Sequence, residues 1–553
     1  MADIQSGQVF FALLAGVVVA LPVTAAFLAL YRRAVAHTMR VESRAGGIAE
    51  PAFVPIGPRV PCGVPAPDAD GLRQVARRTR RGIALAYAGG FAVGAAVLHA
   101  PVLHELWAAS DDGLGLLRAF AGWFPVWSAT LFVVAALLHL GRRQAWTLVG
   151  VALVGGAALS VLLPAAVRLV VGAPFGPELL ANAGWFGLAF ALNAALPALL
   201  VWITGRPRLR NVMPMTLVLV MSLALVVAAV YHLYVSLFAA SGPLEPTPIR
   251  RAAMAIGPTV LILLLALPAG WLAWRGAGAL AARYRARRFS DMQLLGDAWW
   301  AVIVAFALAS PLWQYGAWLA LACACAGWLS YFVTVRLLLR AQGLGSGAGG
   351  PSLLLLRVFG HQARTERLFD TVAAHWRFSG PVAMIAGADL ALRSVDVDEA
   401  LAFAHGEIES GYIADRAGLD RRLERLQGRT DPDGRYRVEE FFCFDDTWRA
   451  TLQALLGRCR IVLMDLRGFT SDNAGCVFEL EQLGRLGQLD RCLFIADRST
   501  DRALAGRSLA AGAGVGGRQT ADGLPTVRWI DLPDDDEPGR QRLRGAMFEV
   551  ASA

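Results

Sequence analysis

The sequence predicts an α-helical polytopic membrane domain of about nine spans, followed by a three-layer α/β domain with a mostly parallel sheet. Of the 553 residues 56% are hydrophobic, and the mean hydropathy of +0.49 is too high for a soluble protein of this length. The glycine-rich stretch AQGLGSGAGG separates two regions of different composition. We therefore predict a transmembrane domain over 1–340, a linker over 341–350 and a cytoplasmic α/β domain over 351–553.

Apolar runs of spanning length predict the membrane domain. The least regular run is 298–337, where Pro311, Gln314 and Gly316 interrupt the pattern, and we interpret it as two spans joined by a tight hairpin. A single long helix there would give eight spans instead of nine. The predicted spans are at about 9–31, 82–103, 119–140, 145–167, 183–204, 212–238, 252–274, 298–315 and 317–337.

Arginine clusters predict the orientation of these spans, since cytoplasmic loops are enriched in basic residues. All 52 basic residues are arginines, and the clusters follow the first, third, fifth and seventh spans. This pattern predicts an inner-membrane protein with its N-terminus outside and its C-terminal domain in the cytoplasm. The chain through Gly350 has 26 arginines and 12 acidic residues, whereas the remainder has 26 and 31. The excess positive charge thus lies in the membrane domain, where it sets the orientation of the spans. The bilayer is therefore an expected partner and a nucleic acid is not.

Few polar or ionisable residues fall inside the predicted spans. The spans contain three histidines and one asparagine, namely His99, His139, His232 and Asn193, and no acidic residue lies within the bounds given above. Ion and substrate paths through membranes usually contain such groups, whereas isolated polar residues commonly hydrogen-bond between helices. The membrane domain is therefore interpreted as an anchor or sensor, with a transporter as the weaker alternative.

After the linker, apolar runs of strand length alternate with helical patterns. This alternation predicts a parallel sheet covered on both faces, as in flavodoxin-like or Rossmann-like folds. Predicted strands lie at 352–359, 381–387, 436–444, 460–466, 491–497 and 526–532, and predicted helices at 364–378, 397–428, 446–457, from about 475, at 500–510 and from about 538.

Several motifs in this domain are not taken as sites. Two GxGxxG matches, at 345–350 and 512–517, lack the preceding strand and following helix that a dinucleotide fingerprint requires. The DPDG segment at 431–434 is similar to a calcium loop, but Arg429 occupies the place of the first acidic ligand, and a turn accounts for it. The seven cysteines form no CxxC pair and have no histidine at zinc-site spacing, so no metal is predicted.

The segment NAGCVFEL, residues 473–480, carries a family resemblance. It is similar to the TIR-domain signature SxWCxxEL and to the DxGxxxEL segment of nucleoside deoxyribosyltransferase-like proteins. With LLLLRVFG, GPVAMIAG and Trp448, it resembles bacterial multispanning proteins that end in a TIR-like domain, over about 354–497. Asn473 and Gly475 stand where TIR signatures have Ser and Trp. The resemblance implies a flavodoxin-like fold, self-association into a homo-oligomer, and a catalytic carboxylate at Glu479.

Ligands of α/β folds bind at the carboxyl edge of the sheet, which is where we expect the site. Glu479 would stabilise an oxocarbenium-like state while an N-glycosidic bond breaks. Cys476 is less favoured as a nucleophile, because no histidine lies near it in sequence. For each residue the alternative is a helix cap, a salt bridge or a surface charge. The predicted nucleotide-binding residues are Arg357, Gly360 and Arg364 for phosphates, Asp389 and Asp465 for ribose hydroxyls, and Asn473 and Gly475 in the loop and first turn before Glu479.

The sequence thus favours a membrane-anchored, TIR-like effector or signalling protein that cleaves the N-glycosidic bond of NAD or a related nucleotide. NAD would be a substrate or ligand, and no cofactor is predicted. The alternative is a non-catalytic module that binds a nucleotide or partner and is coupled to a membrane sensor. A regulated transporter is the third interpretation.

Overall fold

The computed structural model describes most of both predicted domains, and two compact units are described separately below. Unit one takes in 1–29, 83–342 and 396–405, and unit two takes in 30–82, 343–395 and 406–553. The described residues are 2–38, 48, 68–108, 248–309, 317–344, 349–358, 375–386, 397–426, 429–512, 525–532 and 537–552, together with 368, 372, 395 and scattered positions between 146 and 223.

The membrane part is helical wherever the structure describes long segments. Within those segments three stretches are long and apolar enough to cross a bilayer: Val18–Thr38, Ala69–Leu98 and Trp318–Ala341. The total of about nine spans stays a prediction, since the predicted spans 119–140 and 183–204 lie outside the described residues. The helices are α1 (Ala2–Thr38), α2 (Ala69–Leu98), α3 (Ala100–Ala108), α4 (Pro248–Arg285), α5 (Asp291–Ala309) and α6 (Ala317–Ala341).

Small residues let α2 and α6 approach closely. A Cβ atom added at Gly94 would lie 2.9 Å from the carbonyl oxygen of Gly327, and one at Gly327 would lie 3.0 Å from that of Gly94. Beside this crossing, the rings of Trp300 on α5 and Tyr331 on α6 stack with centroids 5.4 Å apart. Packing through small residues and aromatic rings is the usual way in which helices associate without a hydrophobic driving force.

The α/β domain is built on a seven-stranded sheet whose paired strands are all parallel. The strand order is β3-β4-β2-β1-β5-β6-β7. Five of these strands, β2-β1-β5-β6-β7, follow the flavodoxin-like order, and adding β4 gives the six-stranded Rossmann order. The strands are β1 (Leu353–Arg357), β2 (Val382–Ala386), β3 (Tyr412–Ile413), β4 (Val438–Cys443), β5 (Ile461–Asp465), β6 (Cys492–Ala496) and β7 (Arg528–Asp531).

The stretch 397–428, predicted as interrupted helix, contains a strand that the prediction missed. It consists of α7 (Val397–His405), a 3₁₀ turn (Ile408–Gly411), β3 and α8 (Arg416–Leu426). Gly406 follows α7 with φ of +81°, a conformation that ends a helix at little cost for glycine. Tyr412 and Ile413 then pair with Phe442 and Cys443 of β4. A two-residue strand has no periodicity to reveal it.

Two chain segments belong to a different unit from their sequence neighbours. Helix α7 is part of unit one, where Leu401 packs with Ala281 and Tyr284 of α4. Residues 69–82 of α2 are part of unit two, where Leu72 joins the core of the α/β domain. Each unit is therefore made of several stretches of the sequence, and the predicted domain bounds of 1–340, 341–350 and 351–553 stay a prediction.

Successive residues of the central strands point to opposite faces of the sheet, and each face has its own core. One core joins Leu354, Leu356 and Met464 to four helices, and the other joins Leu353, Leu355 and Leu463 to Trp376 and the last helix. These two cores make a three-layer arrangement. The helices are α8, α9 (Trp448–Arg458), α10 (Ala474–Leu486) and α11 (Arg502–Gly512) on the first face, and α12 (Glu537–Ser552) on the second.

Candidate functional site at the β1–β5 switch point

The strand order reverses between β1 and β5, and ligands of open α/β sheets bind outside the carboxyl ends of strands at such a point. Arg357 is the last residue of β1 and Asp465 the last residue of β5, and the two are paired in register. Both are buried. Two of the predicted nucleotide-binding residues therefore lie side by side at the switch point.

Helix α10 begins beside this edge. The thiol of Cys476, in its first turn, donates to the carbonyl oxygen of Arg357 at 3.5 Å. Cys476 and Leu480 are both in the core beneath the helix, which faces them toward the sheet. Glu479 follows Cys476 by three residues and so lies on the same side of the helix.

Glu479 is enclosed by the protein, with 3% of its surface exposed. Its Oε2 atom has no hydrogen-bond partner among the residues that the structure describes. Burial raises the pKa of Glu479 to about 8, while the positive charge of Arg357 acts in the opposite direction. At neutral pH the carboxyl group is therefore mostly protonated.

The carboxylate of Asp465 forms an ion pair with Arg467, a residue that the sequence analysis did not single out. Arg467 forms a two-pronged ion pair with it, with Nη2 2.6 Å from Oδ2 and Nε 2.8 Å from Oδ1. The backbone N–H of Arg467 also donates to Oδ1 at 3.2 Å. Contact between Asp465 and a ribose hydroxyl would require this pair to rearrange. The spacing Asp-x-Arg after a strand was the available signal.

Asn473 and Gly475 have different roles in the approach to α10. The side-chain oxygen of Asn473 accepts from the backbone N–H of Thr470 at 2.9 Å, which closes the turn before the helix. A Cβ added at Gly475 would meet no atom within 4 Å. Open space therefore lies beside the first turn, at the position where the TIR signature has a tryptophan.

The positions of the three remaining predicted site residues are not described. Gly360, Arg364 and Asp389 lie outside the described residues. The predicted phosphate contacts of Gly360 and Arg364, and the ribose contact of Asp389, therefore stay predictions.

The DPDG segment forms a turn held by buried ion pairs. Nε of Arg437 lies 2.9 Å from Asp431, and Nε of Arg435 lies 3.2 Å from Asp433. Gly434 has φ of +85°, and its N–H donates to the carbonyl oxygen of Asp431 at 2.8 Å. No group of His, Cys, Asp and Glu side chains suited to a metal ion occurs in the described part of the chain.

The buried thiols are poor nucleophiles. Burial raises the pKa of Cys443, Cys459 and Cys492 to about 12. Cys476 is also a buried free thiol, and its hydrogen bond to Arg357 gives it a packing role.

The membrane part contains an acidic residue that lies one position before the start of a predicted span. Asp297 lies within α5, which begins at Asp291, whereas the predicted span begins at 298. Its side chain interacts with the indole of Trp328 and with Arg336, both on α6. Helix α5 therefore carries a half-buried ionisable group within electrostatic range of an arginine, and ionisable groups inside membrane proteins often have a function.

The chain matches no protein-family model, no curated protein and no solved structure at a significant level. The resemblance to TIR domains therefore depends on residues 473–480 and the accompanying segments of the sequence. The parallel sheet fits that resemblance but is common to many α/β proteins.

Proposed function

We propose that this protein is a membrane-anchored effector or signalling protein whose C-terminal domain binds NAD or a related nucleotide at the β1–β5 switch point and cleaves its N-glycosidic bond. The observation that carries the proposal is the placement of Glu479 beside Arg357 at that point, with a strongly raised pKa. Perturbed carboxyl groups at sheet switch points are typical of functional sites. The arginine clusters support an inner-membrane location, with this domain in the cytoplasm.

The chemistry proposed for Glu479 requires its carboxylate form. In hydrolysis of NAD, the bond between ribose C1′ and the nicotinamide nitrogen breaks, and nicotinamide leaves with the electron pair. Positive charge builds up on the sugar, and a carboxylate near C1′ lowers the energy of that state. Water then bonds to C1′ and loses a proton, which gives ADP-ribose. The positive nicotinamide ring would itself favour ionisation of Glu479.

Access to Glu479 requires a change at the site, because the side chain is 3% exposed. The space beside Gly475 and the loop 466–473 lie next to the first turn of α10, and we propose that movement there exposes the carboxyl group. TIR resemblance implies activation by self-association. We therefore propose that clustering of the domain opens the site.

The second candidate is a non-catalytic module that binds a nucleotide or a partner and reports to or from the membrane part. The enclosure of Glu479 and the ion pair between Asp465 and Arg467 favour this candidate, because both give these side chains structural roles that need no catalysis. A regulated transporter is the third, and the half-buried carboxyl group of Asp297, within electrostatic range of Arg336, is its best support.

The test is nicotinamide release from NAD by the full-length protein in nanodiscs, with and without clustering by a multivalent tag. Full-length protein is required because Leu72 contributes to the core of the α/β domain. Glu479→Gln is compared with Glu481→Gln, a half-exposed glutamate on the same helix. We expect release by wild type and Glu481→Gln only. Equal background from all three clustered proteins, with wild-type folding, would rule out the enzyme and leave the binding module.

A further inference from the structure

Helix α7 lies between β2 and β3 in the sequence, but it packs on α4 of the membrane part within unit one. Leu401 of α7 contacts Ala281 and Tyr284, which lie beyond residue 274, where the predicted span ends. Trp274, Gly278, Ala281 and Tyr284 have the spacing of a single helix face. Helix α7 has only nine residues, and an isolated helix of that length is unstable in water. Its helical form therefore depends on packing against α4.

A reciprocal pair of hydrogen bonds holds the last residue of α7 on α4. The indole N–H of Trp274 donates to the carbonyl oxygen of His405 at 3.3 Å. Nδ1 of His405 lies 3.2 Å from the carbonyl oxygen of Trp274, and it is the donor because a carbonyl can only accept. The two rings also stack, with centroids 4.6 Å apart. The carbonyl group of His405, which the end of a helix leaves without an intrahelical partner, is thus satisfied by α4.

A glycine of α4 makes room for this contact. A Cβ atom added at Gly278 would lie 2.7 Å from Cε1 of His405, so the imidazole ring lies directly against the backbone of α4. A Cβ added at Gly276, two residues earlier, would meet no described atom within 4 Å. A side chain at position 278 should therefore displace the end of α7, whereas one at position 276 should not.

A connector of six residues, 406–411, joins α7 to the edge strand β3. Gly406 has φ of +81°, and the last four residues form the 3₁₀ turn Ile408–Gly411. Six residues span at most about 20 Å when fully extended, and a 3₁₀ turn shortens them because it rises only about 2 Å per residue. The connector therefore limits how far α7 and β3 can move independently.

Arg422 of α8 fixes the far end of the connector within unit two. Its Nη2 atom donates to the carbonyl oxygen of Gly411 at 3.0 Å, and its Nη1 atom lies 3.9 Å from the carboxylate of Glu439 on β4. Tyr412 and Ile413, which follow at once, pair with β4. The connector is thus anchored at one end by His405 on α4 and at the other by Arg422 beside β4.

We propose that the connector and these two anchors, His405 and Arg422, form a strap that couples the docking of α7 on α4 to the order of β3. Coupling between two sites is reciprocal, so release of either anchor loosens the opposite end. Displacement or rotation of α4 would in this way reach the edge of the sheet along the chain. The strap involves neither NAD nor Glu479, so its test is independent of the proposed function.

The test is hydrogen–deuterium exchange of the full-length protein in nanodiscs without nucleotide, read by mass spectrometry. Gly278→Leu places a side chain where the ring of His405 lies, and Gly276→Leu is its matched control. At the other end Arg422→Gln removes the guanidinium contacts, and Arg421→Gln, at an exposed position of the same helix, is its control. Exchange is compared for α7, for β3 and, as a measure of global stability, for β5. His405→Ala replaces Gly278→Leu where that variant fails to fold.

We expect Gly278→Leu to lower the protection of α7 by about tenfold or more and to lower that of β3 as well. Arg422→Gln should lower the protection of β3 and, at a distance, that of α7. Both controls should match wild type, and β5 should stay protected in every variant. A loss confined to the altered end would overturn the coupling, and unchanged protection of α7 in Gly278→Leu would overturn its docking. An equal loss in β5 would also overturn the proposal, because the variants would then act on the whole fold.

Discussion

The thiol of Cys476 lies 3.5 Å from the carbonyl oxygen of Arg357, and this contact holds the first turn of α10 against the end of β1. One consequence is that Glu479, three residues later, is buried beside the switch point of the sheet. A carboxyl group in that position is costly to ionise, because it has left water without gaining a full set of hydrogen bonds. The unfavourable free energy of ionising Glu479 should therefore be visible in both the stability and the activity of the protein.

The raised pKa of Glu479 predicts a specific dependence of stability on pH. Its pKa is about 8 in the folded protein against an ordinary value of 4.5, so between these values the folded state binds the proton and the unfolded state does not. Stability should therefore fall as pH rises from 5 to 8 and level off above it, by up to about 5 kcal/mol at 1.4 kcal/mol per unit.

Glu479→Gln removes this titration while keeping the shape of the side chain. We expect the apparent Tm of the variant to match wild type near pH 5, to exceed it increasingly up to about pH 8, and to exceed it by a constant amount above that. Thermal unfolding of the two full-length proteins in detergent across this range measures the difference, and titrations shared by both proteins cancel. A constant difference across the range would contradict the assigned pKa.

Activity should have the opposite dependence on pH. If the reactive form of Glu479 is the carboxylate, kcat/KM for NAD should rise with pH and reach a plateau above about 8. Initial rates of nicotinamide release between pH 6 and 9.5 test this. A rate that falls through this range would assign Glu479 an acid role or none.

Two glycines near α10 should respond oppositely to alanine. A Cβ at Gly512 would overlap the carbonyl group of Glu481, because α11 approaches α10 closely there. We expect Gly512→Ala to destabilise the protein by about 1–3 kcal/mol, since backbone must move. Gly475→Ala meets open space within a helix and should stabilise it by up to about 1 kcal/mol. Chemical denaturation of both variants measures these changes, and equal effects would show that the α10–α11 approach is looser than described.

The ion pair between Asp465 and Arg467 should be far more sensitive than a surface pair. Both side chains are buried, so Asp465→Asn leaves the guanidinium group in the interior without its counter-charge. We expect a cost of about 3–5 kcal/mol. The exposed pair of Arg416 and Asp420 provides the control, and Asp420→Asn should cost less than about 1 kcal/mol. Similar losses for both variants would contradict the burial of the first pair.

Much of the α/β domain could be predicted from sequence, because its strands are apolar on both faces. Strand β5 illustrates this, since IVLMD is fully buried and lies within the predicted 460–466. The two-residue β3 escaped prediction, because it exists only through pairing with β4. The order of the strands likewise depends on pairing between distant segments.

The candidate site was predictable in position but not in detail. The pattern NAGCVFEL after a strand was enough to place Glu479 near the carboxyl edge. The pattern could not show that the side chain of Glu479 is buried, or that Arg467 forms an ion pair with Asp465. Both depend on the conformation of the loop 466–473. Asp297 was missed because α5 begins before the apolar run from which its span was drawn.

Equilibrium binding of NAD to the full-length protein tests the central claim most directly. The claim is that the switch point beside Arg357 and Glu479 binds a nucleotide. Binding to wild type is compared with Arg357→Gln and with Arg458→Gln, whose side chain is exposed at the end of α9. We predict saturable binding to wild type and Arg458→Gln, and a loss of about tenfold or more in Arg357→Gln. No binding to wild type, or equal binding to both variants, would contradict the claim.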